Sequence, residues 1–168
     1  MINTYNLFAV QMTHCKLPLD IHIHKKIILF VENEYKEEDT VSCKKGFQFH
    51  GDFDGKKEMN SFLNMFLRNT FSLEICYSWL NVLGDNSYNM PHSHKGEISH
   101  AGVYYLSDQN NNINFTKDGD VFELKPKLFD LLIFPFDLVH YVLPTQRSQK
   151  RICYAFNTSK IIKKEKEC

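Results

Sequence analysis

Three histidines and one arginine are the side chains of this sequence whose types and spacing could do chemistry. His92 and His94 form an H-x-H pair, His140 follows at a distance, and Arg151 comes 11 residues after His140. On an extended strand, the H-x-H spacing puts both imidazoles on one face. A third imidazole from a distant strand could close one face of a metal ion, and an arginine on a neighbouring strand could hold a carboxylate beside that metal.

Neutral imidazoles at this spacing suit iron, zinc, copper or nickel, and three ligands on one face leave the other positions open. An H-x-H pair alone is a weak signal. His22 and His24 have the same spacing in a helical pattern, where side chains two residues apart diverge, so we predict that they are surface residues. His140 could be a capped core residue and Arg151 the partner of a surface acid, but the combination is harder to explain structurally.

Two helices and a series of short strands must position these side chains. The apolar pattern predicts a strand over 5–13, a helix over 18–38 and a second amphipathic helix over 58–70. From Phe71 onward, short strands alternate with turns rich in Gly, Asn and Pro, and 84–91 is predicted to be a loop. This pattern favours a mainly β fold, a double-stranded β-helix or jelly roll with two N-terminal helices packed on it.

The chain is predicted to form a single domain over 1–168, because neither the helices nor the strands would bury their apolar faces alone. Within it, 1–70 supply an N-terminal strand and the supporting helices, and 71–158 supply the double-stranded β-helix core. The Lys/Glu-rich residues 159–168 are predicted to be a flexible tail.

The composition argues against several classes of function. Twenty basic residues balance twenty acidic ones, so no basic field over the whole chain indicates nucleic-acid binding. No apolar run is long enough to span a membrane. The five cysteines are scattered without a C-x-x-C pair, and no signal peptide is evident, so we expect reduced thiols and a cytoplasmic protein. A homodimer contact through the N-terminal helices stays open.

Residues 71–157 resemble the 2-oxoglutarate/Fe(II)-dependent oxygenases, in particular a small family of such oxygenases in marine bacteria and phages. The matching pieces are Tyr77 to Val82, Gly84, the His92 and His94 pair, Ala101 to Leu106, Ile133 to Pro135, His140 with Val142 and Pro144, Arg151 to Asn157, and, upstream, Gly46 to Gln48. Each piece is short, and their order and spacing carry the resemblance, which covers about half of the chain well.

The resemblance implies that His92 and His140 are iron ligands. His94 stands where most of these oxygenases carry Asp or Glu, although the marine and phage family tends to carry His there. A neutral third ligand would leave Fe(II) more positive and alter its affinity and its potential.

The resemblance also implies a set of co-substrate contacts. Arg151 would bind the distal carboxylate of 2-oxoglutarate, a bidentate role that lysine fills less well. Tyr105 matches a strand tyrosine that hydrogen-bonds the same carboxylate. Asn81, 11 residues before His92, matches a co-substrate-binding asparagine, and Asn157 is predicted to face the same pocket.

The function that the resemblance implies is a non-haem Fe(II) and 2-oxoglutarate-dependent dioxygenase, a hydroxylase that uses O2 and a prime substrate of open class. Residues 84–91 and 107–112 would be the loops that select this substrate. Two alternatives stay open: a three-His cupin-type dioxygenase without 2-oxoglutarate, and a non-catalytic jelly-roll binding or structural protein. A mutation of Arg151 separates the first alternative from the oxygenase, because it should abolish 2-oxoglutarate dependence in the oxygenase and matter less in the cupin-type enzyme.

Overall fold

The structure is a computed structural model that describes residues 2–7, 10–108, 111–144, 146 and 149–161. Its elements in chain order are β1 (Ile2–Leu7), β2 (Val10–Lys16), α1 (Ile21–Glu34), β3 (Cys43–Phe49), α2 (Lys56–Phe71), β4 (Leu73–His92), β5 (His100–Tyr105), β6 (Ile113–Lys117), β7 (Asp120–Leu124), β8 (Asp130–Pro135), β9 (Val139–Val142) and β10 (Arg151–Lys160).

The strands form one curled antiparallel sheet, and β4 joins its two halves. The strand order is β1-β2-β8-β5-β10-β4-β9-β6-β7, and β3 also pairs with β4. The first part of β4 pairs with β10, and its end pairs with β9. We call the half from β1 to the first part of β4, with β3, the major sheet, and the end of β4 with β9, β6 and β7 the minor sheet. The predicted double-stranded β-helix with two helices is confirmed.

Strand alternation gives the major sheet two apolar faces. Its outer face packs against the two helices, with a core that includes Leu80, Val82, Tyr154, Ile27, Val31, Met59, Leu63 and Leu67. Its inner face packs against the minor sheet, with a core that includes Tyr105, Leu132, Phe134, Cys153, Ile113, Phe115 and Val142. The helices therefore brace the sheet from outside, and the space between the two sheets is where polar side chains could form a site.

The N-terminal elements differ in part from the prediction. The strand predicted over 5–13 is divided between β1 and β2, which pair with each other in antiparallel fashion, and 8–9 lie outside the described residues. β2 adds to the major sheet beside β8. The first helix is shorter than 18–38, because the Asp20 carboxylate accepts a hydrogen bond from the His22 N–H at its start and Tyr35 is extended at its end. The second helix, predicted over 58–70, is α2.

Residues 84–91 form part of β4, so the predicted loop was wrong. β3 pairs along this segment, with Cys43 opposite Asn89 and Lys44 opposite Tyr88. The chain bends within it, where Asn86 adopts a left-handed φ of 54°, a conformation that asparagine tolerates better than most residues. The Gly- and Asn-rich composition thus permits a bend inside a long strand.

The first two residues of the predicted tail over 159–168 belong to a strand. β10 continues through Ser159 and Lys160, and 162–168 lie outside the described residues. None of the described helices has the length and the apolar composition needed to cross a membrane.

Candidate metal centre

The end of β4 and the start of β9 bring three imidazoles together. His92 is the last residue of β4 and lies opposite His140 of β9. His94 follows β4, and its backbone N–H donates to the Phe136 carbonyl at 2.8 Å, which holds this segment beside the turn before β9. The ligand nitrogen atoms of the three histidines lie within 4.8 Å of one another, an arrangement that could hold a metal ion.

Two of these rings have a defined tautomer. His92 Nδ1 lies 2.7 Å from the Met90 carbonyl oxygen, and His140 Nδ1 lies 3.0 Å from the Leu138 carbonyl oxygen. Because a carbonyl oxygen only accepts, Nδ1 carries the proton in both rings. In the neutral ring, Nε2 then has a free lone pair, and the backbone carbonyl fixes the ring as outer hydrogen bonds do for metal-binding histidines.

Burial keeps the three rings neutral. It is the main cause that lowers the pKa of His92, of His94 and, most strongly, of His140. His140 also packs against the Phe134 ring at a centroid distance of 4.8 Å, and the neighbouring His92 lowers its pKa further. At pH 7 the cluster therefore offers uncharged nitrogen ligands, which suit iron, nickel, copper or zinc.

Arg151 is a buried cation in the same cavity. It is 3% exposed, and its Nη2 donates to the Tyr105 hydroxyl at 3.2 Å. Its Nε is buried without a hydrogen-bond partner, and no described carboxylate lies within ion-pair distance of it. A buried guanidinium without a counter-ion is costly, so this end of the cavity is complementary to an anion.

A directed row of polar side chains reaches the cavity from β3 and β4. Thr40 Oγ1 donates to Gln48 Oε1 at 2.6 Å, Gln48 Nε2 donates to Asn81 Oδ1 at 3.4 Å, and Asn81 Nδ2 donates to Asn89 Oδ1 at 3.0 Å. Each group donates toward Asn89, whose own amide N–H groups are the last donors of the row. Asn89 lines the cavity, where those donors add a second group that favours an anion.

The cavity between the sheets is narrow, with about 40 Å³ of free space. Apolar side chains, including Ile113, Phe134 and Val142, form much of its wall. No carboxylate is among its described lining residues, and Arg151 supplies its formal charge. The electrostatics therefore disfavour a cation other than a metal ion held by the imidazoles.

The structure brings most of the predicted site residues together. The cavity is lined by His92, His94, His140, Asn81 and Arg151. Tyr105 is fully buried, and its hydroxyl accepts a hydrogen bond from Arg151. Asn157 is opposite Tyr77 in the register of β10 and β4, on the same strand face as Arg151, and its side chain lies beside His94.

Two polar lining residues that belong to the hydrogen-bonded row, Gln48 and Asn89, were not predicted as site residues. Gln48 was noted only as part of a matching piece, although its position in β3 opposite Asn81 places it on the cavity side. Asn89 fell within the predicted loop, and no pattern signalled its position. The prediction for His24 was wrong, because its ring is half-buried and its Nε2 bonds the Leu106 carbonyl at 2.8 Å.

No protein-family model matches the sequence, and no curated protein matches it. Solved structures do resemble it. A prolyl-4-hydroxylase from Pseudomonas putida matches with a TM-score of 0.67 at 12% identity, over 90% of this chain and 93% of that protein. HygX from Streptomyces hygroscopicus, solved with nickel and 2-oxoglutarate, matches with a TM-score of 0.67 at 8% identity, over 90% and 83%.

A third similar structure is an oxidoreductase of the 2OG-Fe(II) oxygenase family from Burkholderia pseudomallei. Its TM-score is 0.59 at 14% identity, over 87% of this chain and 84% of that protein. At such low identity these matches show the fold, a double-stranded β-helix, and leave the chemistry to be argued from this chain's own residues.

Proposed function

We propose that this protein is a non-haem Fe(II) and 2-oxoglutarate-dependent dioxygenase that hydroxylates a prime substrate. The observation that carries the proposal is the combination, in one cavity, of three converging neutral imidazoles and a buried guanidinium that has no described carboxylate within ion-pair distance. The similar structures support it, because one is a prolyl-4-hydroxylase and another was solved with nickel and 2-oxoglutarate.

The residues present fit both groups. Fe(II) would be held by His92, His94 and His140, whose nitrogen atoms are uncharged ligands that converge within 4.8 Å. When bound, iron, 2-oxoglutarate and O2 together supply oxidative decarboxylation of the co-substrate to succinate and hydroxylation of a substrate C–H bond. Three neutral ligands leave the 2+ charge of the metal uncompensated by the protein. The metal would therefore bind more tightly together with the dianionic co-substrate than alone.

The protein's own part is to bind and orient the co-substrate. Arg151 would bind the distal carboxylate through its remaining N–H groups while Tyr105 holds the guanidinium in position. Asn81 and Asn89 would offer amide donors from the other wall.

The test is anaerobic visible spectroscopy of metal-stripped protein that receives Fe(II) and then 2-oxoglutarate. We expect a charge-transfer band in the wild type, no band in His140→Ala and a weakened band in Arg151→Ala. His100→Ala is the control, because His100 is a half-buried histidine that bonds to Ser99 outside the cluster, and it should keep the band. Succinate release after O2 is admitted then measures turnover.

Tight metal binding without any band on addition of 2-oxoglutarate would contradict the proposal. It would favour the cupin-type alternative, in which Arg151 has no co-substrate to bind. Failure to bind any divalent metal would favour the non-catalytic alternative.

A further inference from the structure

The inner face of the major sheet continues past the histidine cluster and opens to solvent. Tyr77 and Trp79 alternate with outward-facing neighbours on β4, so they share the inner face with Asn81. Ala155 and Asn157 lie opposite them on β10. Tyr77 is 49% exposed, because the minor sheet pairs only with the far end of β4, from Asn89 onward, and leaves this part of the face uncovered.

Aromatic rings form a continuous row along this open face. The His50 ring lies nearly parallel to the rings of Tyr77 and Trp79, at 21° and 22°, with centroid distances of 5.7 and 5.8 Å. The Tyr77 hydroxyl bonds His50 Nδ1 at 2.9 Å, which fixes both rings. Trp79 in turn lies 5.9 Å from the His94 ring, so the row leads from the surface to the histidine cluster. We call His50, Tyr77 and Trp79 the aromatic row.

The groove above the aromatic row has a defined size and polarity. It holds about 240 Å³ and is open to solvent. His92 and His94 line it as well as the inner cavity, so the two spaces meet at the histidine cluster. Lys95 is its fixed charge, and no carboxylate is among its described lining residues. Partial burial, followed by the nearby Lys56, lowers the pKa of His50, so this ring adds no charge at pH 7.

These features indicate what the groove can bind. Exposed aromatic rings that are held in place offer large, rigid surfaces, and a flat ring of a ligand stacks on them or meets them edge to face. The volume accommodates one ring or two fused rings. A cationic ligand would be attracted by the ring faces, but Lys95 and the buried Arg151 would repel it, and the nearby Glu38 carboxylate lies outside the groove lining.

We propose that the aromatic row binds a planar aromatic or heteroaromatic ring, neutral or anionic, and presents it to the metal centre as the reacting part of the prime substrate. The binding of the ring follows from the groove itself. Its role as substrate rests on the proposed function, in which the histidine cluster is the reacting centre.

The experiment uses the fluorescence of Trp79, which is the sole tryptophan of the chain and part of the aromatic row. Zn(II)-loaded protein saturated with 2-oxoglutarate is titrated with benzamide, with its saturated analogue cyclohexanecarboxamide, and with benzylammonium. We expect benzamide to bind roughly three- to tenfold more tightly than the saturated amide, the range that an aromatic contact supplies, and benzylammonium to bind more weakly than benzamide.

Two variants of Tyr77 test the contact without removing the reporter. Tyr77→Phe keeps the ring and should retain the preference for benzamide, whereas Tyr77→Leu should reduce it to less than about twofold. The ring and hydroxyl contacts of Tyr77 are with His50 and Trp79, so both variants should keep the charge-transfer band with Fe(II) and 2-oxoglutarate.

Equal binding of the saturated amide, a preference for benzylammonium, or an unchanged preference in Tyr77→Leu would overturn the proposal, as would the absence of saturable binding by benzamide. The same titration on metal-free protein separates this proposal from the proposed function. If benzamide binds with the expected preference but no charge-transfer band forms with Fe(II) and 2-oxoglutarate, the ring site stands and the oxygenase activity fails.

Discussion

Replacing Arg151 by methionine should weaken 2-oxoglutarate binding and, at the same time, stabilise the ligand-free fold. Arg151 is 3% exposed, its Nε has no hydrogen-bond partner, and no described carboxylate pairs with it. Methionine has a similar length and fills irregular apolar space without a charge. The two effects have opposite signs because the cation is costly in the empty site and favourable only when an anion is bound.

The size of each effect follows from the contacts of the guanidinium. One N–H bonds to the Tyr105 hydroxyl, which leaves others free for a carboxylate. Two charge-assisted bonds contribute about 3 to 5 kcal/mol. At about 1.4 kcal/mol for each factor of ten, the Kd for 2-oxoglutarate should rise by roughly two to three and a half orders of magnitude. Removal of the unpaired charge, less the lost bond to Tyr105, should raise the free energy of unfolding by about 1 to 2 kcal/mol.

The assay pairs calorimetric titration of Zn(II)-loaded protein with 2-oxoglutarate and thermal unfolding of the metal-free protein. Arg151→Lys is the control, because it keeps the charge and loses the planar fork; its affinity should fall about tenfold without the gain in stability. If Arg151→Met bound 2-oxoglutarate within threefold of the wild type, or if the ligand-free variant were less stable than the wild type, Arg151 would not be an uncompensated cation that awaits the co-substrate.

Four further predictions follow from other contacts. His140→Ala should abolish stoichiometric Zn(II) binding, measured by calorimetry, since it removes the most buried ligand of the cluster. Asn89→Asp replaces the last donor of the polar row by an acceptor-only carboxylate and should weaken 2-oxoglutarate binding at least tenfold, with less effect for Asn89→Ala. Burial raises the pKa of the Cys43 thiol to about 11, so the unfolded chain releases this proton first. Cys43 should therefore lower the free energy of unfolding by about 2 to 3 kcal/mol between about pH 9 and 11. In denaturant titrations Cys43→Ala should lose this part of the slope and keep the part due to other buried groups with raised pKa values, such as Cys15 and Tyr154. Gly102→Ala should lower the free energy of unfolding by about 1 to 3 kcal/mol, because its Cβ would overlap the Phe156 ring.

Local patterns predicted the parts of the fold that depend on local physics. The apolar stripe of α2 gave its position almost to the residue, because helix periodicity and burial of one face act over neighbouring residues. The predicted loop at 84–91 failed because pairing with β3 extends β4 through a Gly- and Asn-rich segment. Such pairing is a long-range interaction that composition does not encode. The cytoplasmic compartment and the homodimer contact stay predictions.

The sequence alone identifies which residues could form the site, whereas only the fold brings them together. His92, His94, His140 and Arg151 are recognisable from type and spacing, because imidazole and guanidinium have distinctive chemistry wherever they lie. Only the antiparallel pairing of β4 with β9 puts His92 opposite His140. Only the packing of the two sheets buries Arg151 with no described carboxylate within ion-pair distance, since burial and the positions of distant charges are properties of the whole fold and of no local pattern.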